Sequence, residues 1–202
     1  MKGIMDEQLL FWQLNGRRQA PLDCSPGEDE NLLTGLLLTG MAVPDPGKIR
    51  SIVRNGDTWE VRTDGRDELP DLARRLGMIP SRAVCSPATE EAAYLAGLIR
   101  ECGKGDGLHT ALLLCGGTVF RGRDIARHSA LDRAVGKAAR AGARPEGAVL
   151  AISGRLSLEM LAKAAAVGVG TVLTGKQAGR MAMEYADKWG VLLADPCTWI
   201  KE

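Results

Sequence analysis

At 202 residues the chain is long enough for one domain with a sizeable core, or for a compact domain carrying a smaller appended one. Its 26 Lys and Arg balance 25 Asp and Glu, which excludes the global basic field that holds nucleic acid non-specifically or docks on anionic lipid; any anionic ligand must be bound locally. Five cysteines, none spaced C-x-x-C, point to reduced thiols rather than a disulfide framework or zinc knuckle. With acidic residues where a secretory apolar run should begin, and no stretch near the roughly 18 apolar residues of a membrane span, a soluble cytoplasmic protein is expected.

The first third reads as a small, separate α+β unit, residues 1–80. Phe11 to Leu14 is a short apolar strand ended by Asn15-Gly16, and Ser25-Pro26 followed by acidic residues signals a helix over Glu28 to Leu38. Lys48 to Val53 and Thr58 to Arg62 alternate around Asn55-Gly56, a dipeptide that tolerates the positive φ values of a type I′ hairpin turn. A short helix follows over Leu69 to Leu76. Between Gly77 and Pro87 periodicity lapses and two prolines fall close together, which places a domain boundary or a mobile loop there.

The second unit, residues 81–202, is more regular. A helix over Thr89 to Glu101 and a Gly-rich loop over Gly103 to Gly107 precede a hairpin, strand His109 to Cys115 turned by Gly116-Gly117 into strand Thr118 to Gly122. Then helix Ile125 to Ala141 leads to strand Ala148 to Ile152, helix Leu156 to Val167 to strand Thr171 to Thr174, and helix Gln177 to Trp189 to strand Val191 to Ala194. Apolar strands between amphipathic helices imply a parallel sheet covered on both faces, whose ligands gather at the carboxyl ends of the strands, where helices begin.

Three stretches fall at those helix starts. In Arg123-Asp-Ile-Ala-Arg-His-Ser-Ala-Leu-Asp132, Arg127 and His128 occupy a first turn, and Asp132 at i+4 could hold the imidazole in one tautomer; an N-cap at Asp124 with an ordinary surface ion pair is the equal alternative. In Ser153-Gly-Arg-Leu-Ser-Leu-Glu159, Gly154 permits a tight turn, free helix N–H groups favour an anion and Arg155 can pair with phosphate. The same residues also read as a capped helix start through Ser157 and Glu159. Thr174-Gly175-Lys176-Gln177 repeats the theme one strand later. Zinc deaminase chemistry needs H-x-E and P-C-x-x-C at such helix starts, and neither occurs. His109 follows a Gly-rich loop without the spacing of a P-loop. Cys85, in a Pro-bounded loop near Arg82, is the best candidate for a reactive thiolate and Cys102 near Lys104 the second, whereas Cys24 and Cys115 read as structural.

Four ordered segments now stand together: GDGLHTALLL (105–114), RDIARHSALDRAVG (123–136), SGRLSLEMLAKAAAVG (153–168) and MAMEYADKWG (181–190). They resemble the runs TGGxHAAAL, EDVGRHNALDKxxG, SGRxSxEMxxKAAxAG and LAxExAxxxG of the FdhD family of formate dehydrogenase accessory sulfurtransferases. LNG (14–16), Ser25-Pro26 and GLLLTG (35–40) extend the resemblance weakly into the first third. The helix, hairpin and three helix–strand units follow the order of cytidine-deaminase-like domains, and the resemblance implies such a three-layer α/β domain with a mixed sheet, plus the small N-terminal α+β domain. It also implies binding of the molybdenum cofactor as bis-molybdopterin guanine dinucleotide. Sulfur would pass from a cysteine desulfurase to that cofactor before insertion into formate dehydrogenase or a related molybdoenzyme.

Carried over position by position, His109, Asp124, Arg127, His128, Asp132, Ser153, Gly154, Arg155, Ser157, Glu159 and Lys163 match the family's runs. The expected cofactor-binding set is His109, Asp124, Arg127, His128, Ser153, Gly154, Arg155, Ser157 and Lys176, with Cys85 as sulfur carrier and no metal ligands. The family's carrier loop is CGxCG, but here the region reads SRAVCSPATEE, with one cysteine. Ala126 replaces the family's Gly before Arg-His, GFLxTEG becomes GLLLTGM, and the C-terminal GFxR pattern becomes Ala194-Asp-Pro-Cys197. The alternative to a sulfur carrier is therefore a non-enzymatic cofactor-binding chaperone. Neither nucleic acid nor membrane is an expected partner; exposed apolar faces on the small unit or the sheet edge would favour a homodimer.

Overall fold

The computed structural model describes residues 6–84, 87, 89–102 and 107–195. Its N-terminal part builds a five-stranded sheet from β1 (Gln8–Leu14), β2 (Arg17–Arg18), β3 (Leu22–Cys24), β4 (Ile49–Asn55) and β5 (Thr58–Thr63), ordered β2-β1-β5-β4, with β3 also paired to β1. Helix α1 (Asp29–Thr39) lies between β3 and β4, and α2 (Leu72–Met78) follows β5. The C-terminal part runs α3 (Thr89–Cys102), β6 (His109–Cys115), β7 (Thr118–Asp124), α4 (Arg127–Arg140), β8 (Val149–Ile152), α5 (Leu158–Ala166), β9 (Thr171–Thr174), α6 (Arg180–Trp189) and β10 (Leu192–Ala194). Its sheet has the order β10-β9-β8-β6-β7. Strands β8, β9 and β10 are parallel, as their apolar sequences predict, whereas β6 runs antiparallel to both β7 and β8 and makes the sheet mixed.

Turn chemistry explains the hairpins and moves one of them. Asn15 (φ 49°) and Gly16 (φ 83°) both take left-handed conformations in the two-residue turn between β1 and β2, and Gly116 (57°) and Gly117 (75°) do so between β6 and β7. The expected type I′ turn at Asn55-Gly56 is displaced. Asn55 pairs with Thr58, so the loop is Gly56-Asp57, and only Gly56 (φ 60°) is left-handed, as a type II′ turn requires. Strands β2 and β3, two and three residues long, are too short to carry a period-2 pattern, so the sequence does not announce them.

Alternation along β6 and β8 divides the C-terminal sheet into two faces. Leu112, Leu114, Val149 and Ala151 pack against Ala92, Leu95, Ala96 and Ile99 of α3. Ala111, Leu113, Leu150 and Ile152 belong instead to a larger cluster that continues through α4, α5 and α1 to Leu10, Trp12 and Leu14 of β1. The two sheets fall on either side of the expected boundary, yet this one hydrophobic cluster joins them. Helix α1 shows why it lacks a polar stripe: Leu32 through Thr39 are all buried, because α4 covers one side and the N-terminal sheet the other.

The joint depends on two glycines. A Cβ at Gly35 would sit 1.8 Å from the carbonyl oxygen of Asp132, and one at Gly136 1.9 Å from that of Asn31, so α1 and α4 cross in direct backbone contact. Two buried ion pairs flank the crossing. Lys163 Nζ lies 2.6 Å from Asp132 Oδ2, while Thr39 Oγ1 donates to Asp132 Oδ1 at 2.6 Å. Arg133 Nε donates to Asp124 Oδ2 at 2.7 Å, and its other guanidinium nitrogens reach the carbonyl oxygens of Ser25 and Gly27.

Gly35→Ala is expected to cost about 3 kcal/mol or more, since two helix backbones must separate to admit one methyl group. Gly77→Ala, in α2 with nothing within 4 Å of the added carbon, should change stability by less than about 1 kcal/mol. Urea midpoints of the two variants provide the comparison.

Candidate functional site

Because β6 is reversed, its first residue reaches the rim where β7, β8 and β9 end. His109 pairs with Asp124, the last residue of β7, and Ala111 with Ile152, the last residue of β8. That rim therefore gathers His109, the α4 start with Arg127 and His128, the loop Ser153 to Ser157, and the loop after Thr174. Gly154 is the close contact among them: a Cβ there would lie 3.3 Å from His109 Nδ1 and 3.9 Å from Arg127 Cβ. Its missing side chain lets the His109 ring pack close against the backbone, with the Arg127 stem alongside.

Several expected residues are committed elsewhere. Asp124 is fully buried, and its carboxylate accepts from Arg133 and from the backbone N–H groups of Ala126 and Ser25, so it braces the α4 start from behind instead of facing the rim. Ser153 continues the ladder: its N–H donates to the Thr110 carbonyl at 3.0 Å and its Oγ accepts from Thr110 N at 2.9 Å. Ser157 is the N-cap of α5, accepting from Met160 N. Ser25, expected as a helix-start residue for α1, instead accepts from Ile125 N at 3.0 Å, across the joint.

The helix starts also fall later than the sequence indicates. Helix α5 begins at Leu158 and α6 at Arg180, so Arg155 and Lys176 stand in the loops ahead of the caps. Those loops are stitched together. Leu156 N donates to Gln177 O at 3.3 Å, Gly179 N to Leu156 O at 2.9 Å, and Thr174 Oγ1 to Gly154 O at 3.0 Å. Arg155 and Lys176 are both exposed on this bracket, and Arg127 is half-buried beside it. Among the described residues none of these three cations is paired with a carboxylate.

His128 does not pair with Asp132, whose oxygens are taken by Lys163 and Thr39. Its Nε2 lies 3.9 Å from Glu159 Oε2, beyond hydrogen-bond range, and is buried with no partner. Burial pushes the His128 pKa down and the Lys163 and Arg127 charges push the same way, outweighing the attraction of Glu159. For Glu159, burial acts upward, but the hydrogen bond from Arg75 and the charges of His128, Arg75 and Lys163 hold it below the usual carboxylate range. Arg75, reaching in from α2 with Nη2 3.0 Å from Glu159 Oε1, is the member that sequence reasoning missed. Nothing near it in the chain marks an Arg in a short helix as part of a distant site.

Cys85, the expected sulfur carrier, lies outside the described residues. Arg82, expected to favour its thiolate, donates to the Ala165 carbonyl at 2.7 Å and so closes the end of α5. Burial pushes the Cys24 thiol up to about 11, and also raises that of Cys115, whose Sγ donates to the Arg144 carbonyl. At the opposite, amino-terminal rim of the sheet lies a cleft of about 910 Å³, walled by Leu38, Met41, Met78, Ala143 and Val167. Among the described residues no helix is long and apolar enough to cross a membrane.

The fold defines the chain first as an α/β protein with two mixed sheets. It superposes with a TM-score of 0.79 on a solved structure titled as a formate dehydrogenase accessory protein from Desulfotalea psychrophila, at 19% identity, over 95% of this chain and 83% of that one. Residues 88–197 match the FdhD/NarQ family, and the chain belongs to that family. It is 34% identical to the sulfur carrier protein FdhD of Anaeromyxobacter dehalogenans (strain 2CP-C), over 93% of this chain and 81% of that protein. Its likeness to the FdhD of Anaeromyxobacter sp. (strain K) is also 34%, over 64% of this chain and 49% of the relative, so that alignment spans about half the relative's length. The FdhD of Streptomyces avermitilis is 27% identical, over 94% of this chain and 82% of its own.

Gly154→Ala tests the rim without touching the core. The added methyl meets the ring of His109 and not backbone, so the variant should fold with near-wild-type stability while its His109 resonances shift. An unfolded variant would place Gly154 in the framework instead.

Proposed function

We propose that the chain binds the guanine-dinucleotide form of the molybdenum cofactor at the rim and hands it sulfur carried on Cys85, for a formate dehydrogenase or a related molybdoenzyme. The observation that carries this reading is the meeting at Gly154 of the His109 ring and the Arg127 stem, 3.3 Å and 3.9 Å from where its Cβ would stand, with the exposed cations Arg155 and Lys176 on the adjoining loops. A glycine-containing loop beside cationic side chains suits phosphate oxygens, which need close N–H groups and charge together. The sheet order, with a hairpin and then three helix–strand units, supports a cytidine-deaminase-like domain put to binding use, and His109, Arg127 and Arg155 are its ligand-facing residues, with His128 behind them. Asp124, Ser153 and Ser157 act here as supports that hold the loops in place.

In this reading Arg127, Arg155 and Lys176 hold phosphates and His109 orients what lies against Gly154. The bound cofactor supplies the molybdenum centre that receives sulfur. The Cys85 thiolate would attack the outer sulfur of the persulfide on a cysteine desulfurase, forming a persulfide on Cys85 as the desulfurase S–S bond breaks and its cysteine leaves as thiolate. The setting is the cytoplasm. A second reading, a cofactor chaperone without sulfur transfer, is favoured by the single cysteine in the SRAVCSPATEE connection.

Two measurements on the purified chain separate them. GDP titration should show binding that weakens about tenfold in Arg155→Ala and is unchanged in Cys85→Ala. Incubation with a cysteine desulfurase and cysteine should add one sulfur atom to the intact mass of wild type and of Cys102→Ala, and none to Cys85→Ala. GDP binding with no sulfur gain in wild type sinks the carrier and leaves the chaperone. No GDP binding sinks both.

A further inference from the structure

Behind the rim sits a set of charged groups that phosphate binding alone does not use. The imidazole of His128, at the start of α4, faces Glu159 of α5 across 3.9 Å, and its Nε2 is buried without a partner. The other oxygen of Glu159 is fixed by Arg75 of α2 at 3.0 Å. Arg75 is itself buried, its Nε has no partner, and among the described residues its guanidinium makes this one hydrogen bond. The remaining charges around His128 are Arg127 and Asp132 on its own helix and Lys163 on α5; Asp132 and Lys163 are committed to each other at 2.6 Å.

We propose that Arg75 is a positioning residue for the rim: it holds Glu159 opposite His128 and so sets the proton occupancy of that histidine, coupling anion binding beside Arg127 to uptake of a proton. The inference rests on the rim being the anion site. In the free protein a buried nitrogen flanked by Arg127 and Lys163 stays neutral, and Arg75 draws off part of the Glu159 charge that would favour the imidazolium. An anion on Arg127 cancels one repelling cation and brings negative charge close, and both changes favour protonation. By reciprocity, the proton then favours the anion by the same factor. Binding therefore strengthens as pH falls through the ordinary histidine range and weakens as it rises above that range. Glu159, held ionised, stays charged throughout this window.

The chain has two histidines, His109 and His128, so imidazole proton–carbon correlation spectra of the full chain hold two imidazole signals, and His128→Gln assigns the one to follow. In the free protein the His128 midpoint should rise in Arg75→Met, stay near wild type in Arg75→Lys and fall in Glu159→Gln. Arg75→Gln, which keeps a donor without the charge, replaces the Met variant should that fail to fold. Saturating GDP should raise the proton affinity of His128 in wild type about tenfold, and the pH dependence of GDP affinity between about 6 and 8 should shrink in His128→Gln to that supplied by ionisation of the GDP phosphate itself. An unmoved midpoint in folded Arg75→Met, or in Arg75→Gln where it takes that variant's place, overturns the positioning role. GDP that binds without moving His128 overturns the coupling and leaves the cofactor site standing. Absence of GDP binding overturns the rim reading and with it the coupling, while the ligand-free Arg75 comparison still decides the positioning role.

Discussion

The backbone crossing of α1 and α4 at Gly35 and Gly136 is the constraint on which the rest of the structure depends. Helices that touch through glycine cannot shift without opening a void or a clash, so the crossing fixes where the N-terminal sheet lies against the α/β sheet. The ion pairs beside it, Asp132–Lys163 and Asp124–Arg133, are buried on both sides. Such pairs add little beyond a well-packed apolar core, yet losing one partner leaves a buried charge without compensation. Their effect here is to define register: Thr39, Ser25 and Gly27 from the N-terminal part complete the polar contacts of residues in α4 and β7.

From that register follows the rim. Asp124 stands at the hinge between β7 and α4, and Ser25 reaches across to the N–H of Ile125, so the turn presenting Arg127 and His128 is held by both parts of the chain. Arg75 makes the same crossing at α5. The N-terminal part is thus more than an appendage to the C-terminal sheet. It supplies the supports for two of the loops that line the rim.

Much of this is legible in the residues. Repeating apolar runs mark the strands of the second sheet and the helices between them, because a parallel sheet covered on both faces leaves few choices of side chain. Gly16, Gly116 and Gly117 turn where the sequence puts them. The sequence is less informative where a choice is made by a distant contact. Asp132 has His128 one turn away, a plausible local partner, but buried Lys163 lies in reach and takes its charge. The Asn55-Gly56 pair is a good turn signal, and the ladder register moves the loop one residue on. Asp124 resembles a ligand residue by motif, and only the packing of α1 shows that it is enclosed. Arg75 has no local signature because its partner is 84 residues away.

The bracket formed by Leu156 with Gln177 and Gly179 has a consequence for selectivity. Two basic side chains on independent loops could adjust to ligands of many lengths. Arg155 and Lys176 stem from backbone segments tied together by hydrogen bonds, with Thr174 bridging to Gly154, so the separation of their anchor points is set before any ligand arrives. In the anion site proposed above, the two side chains would act as a caliper whose jaws are hinged at a fixed separation. It would sort its guests by the distance between their charges, and a guest with the right groups at the wrong spacing would reach only one jaw.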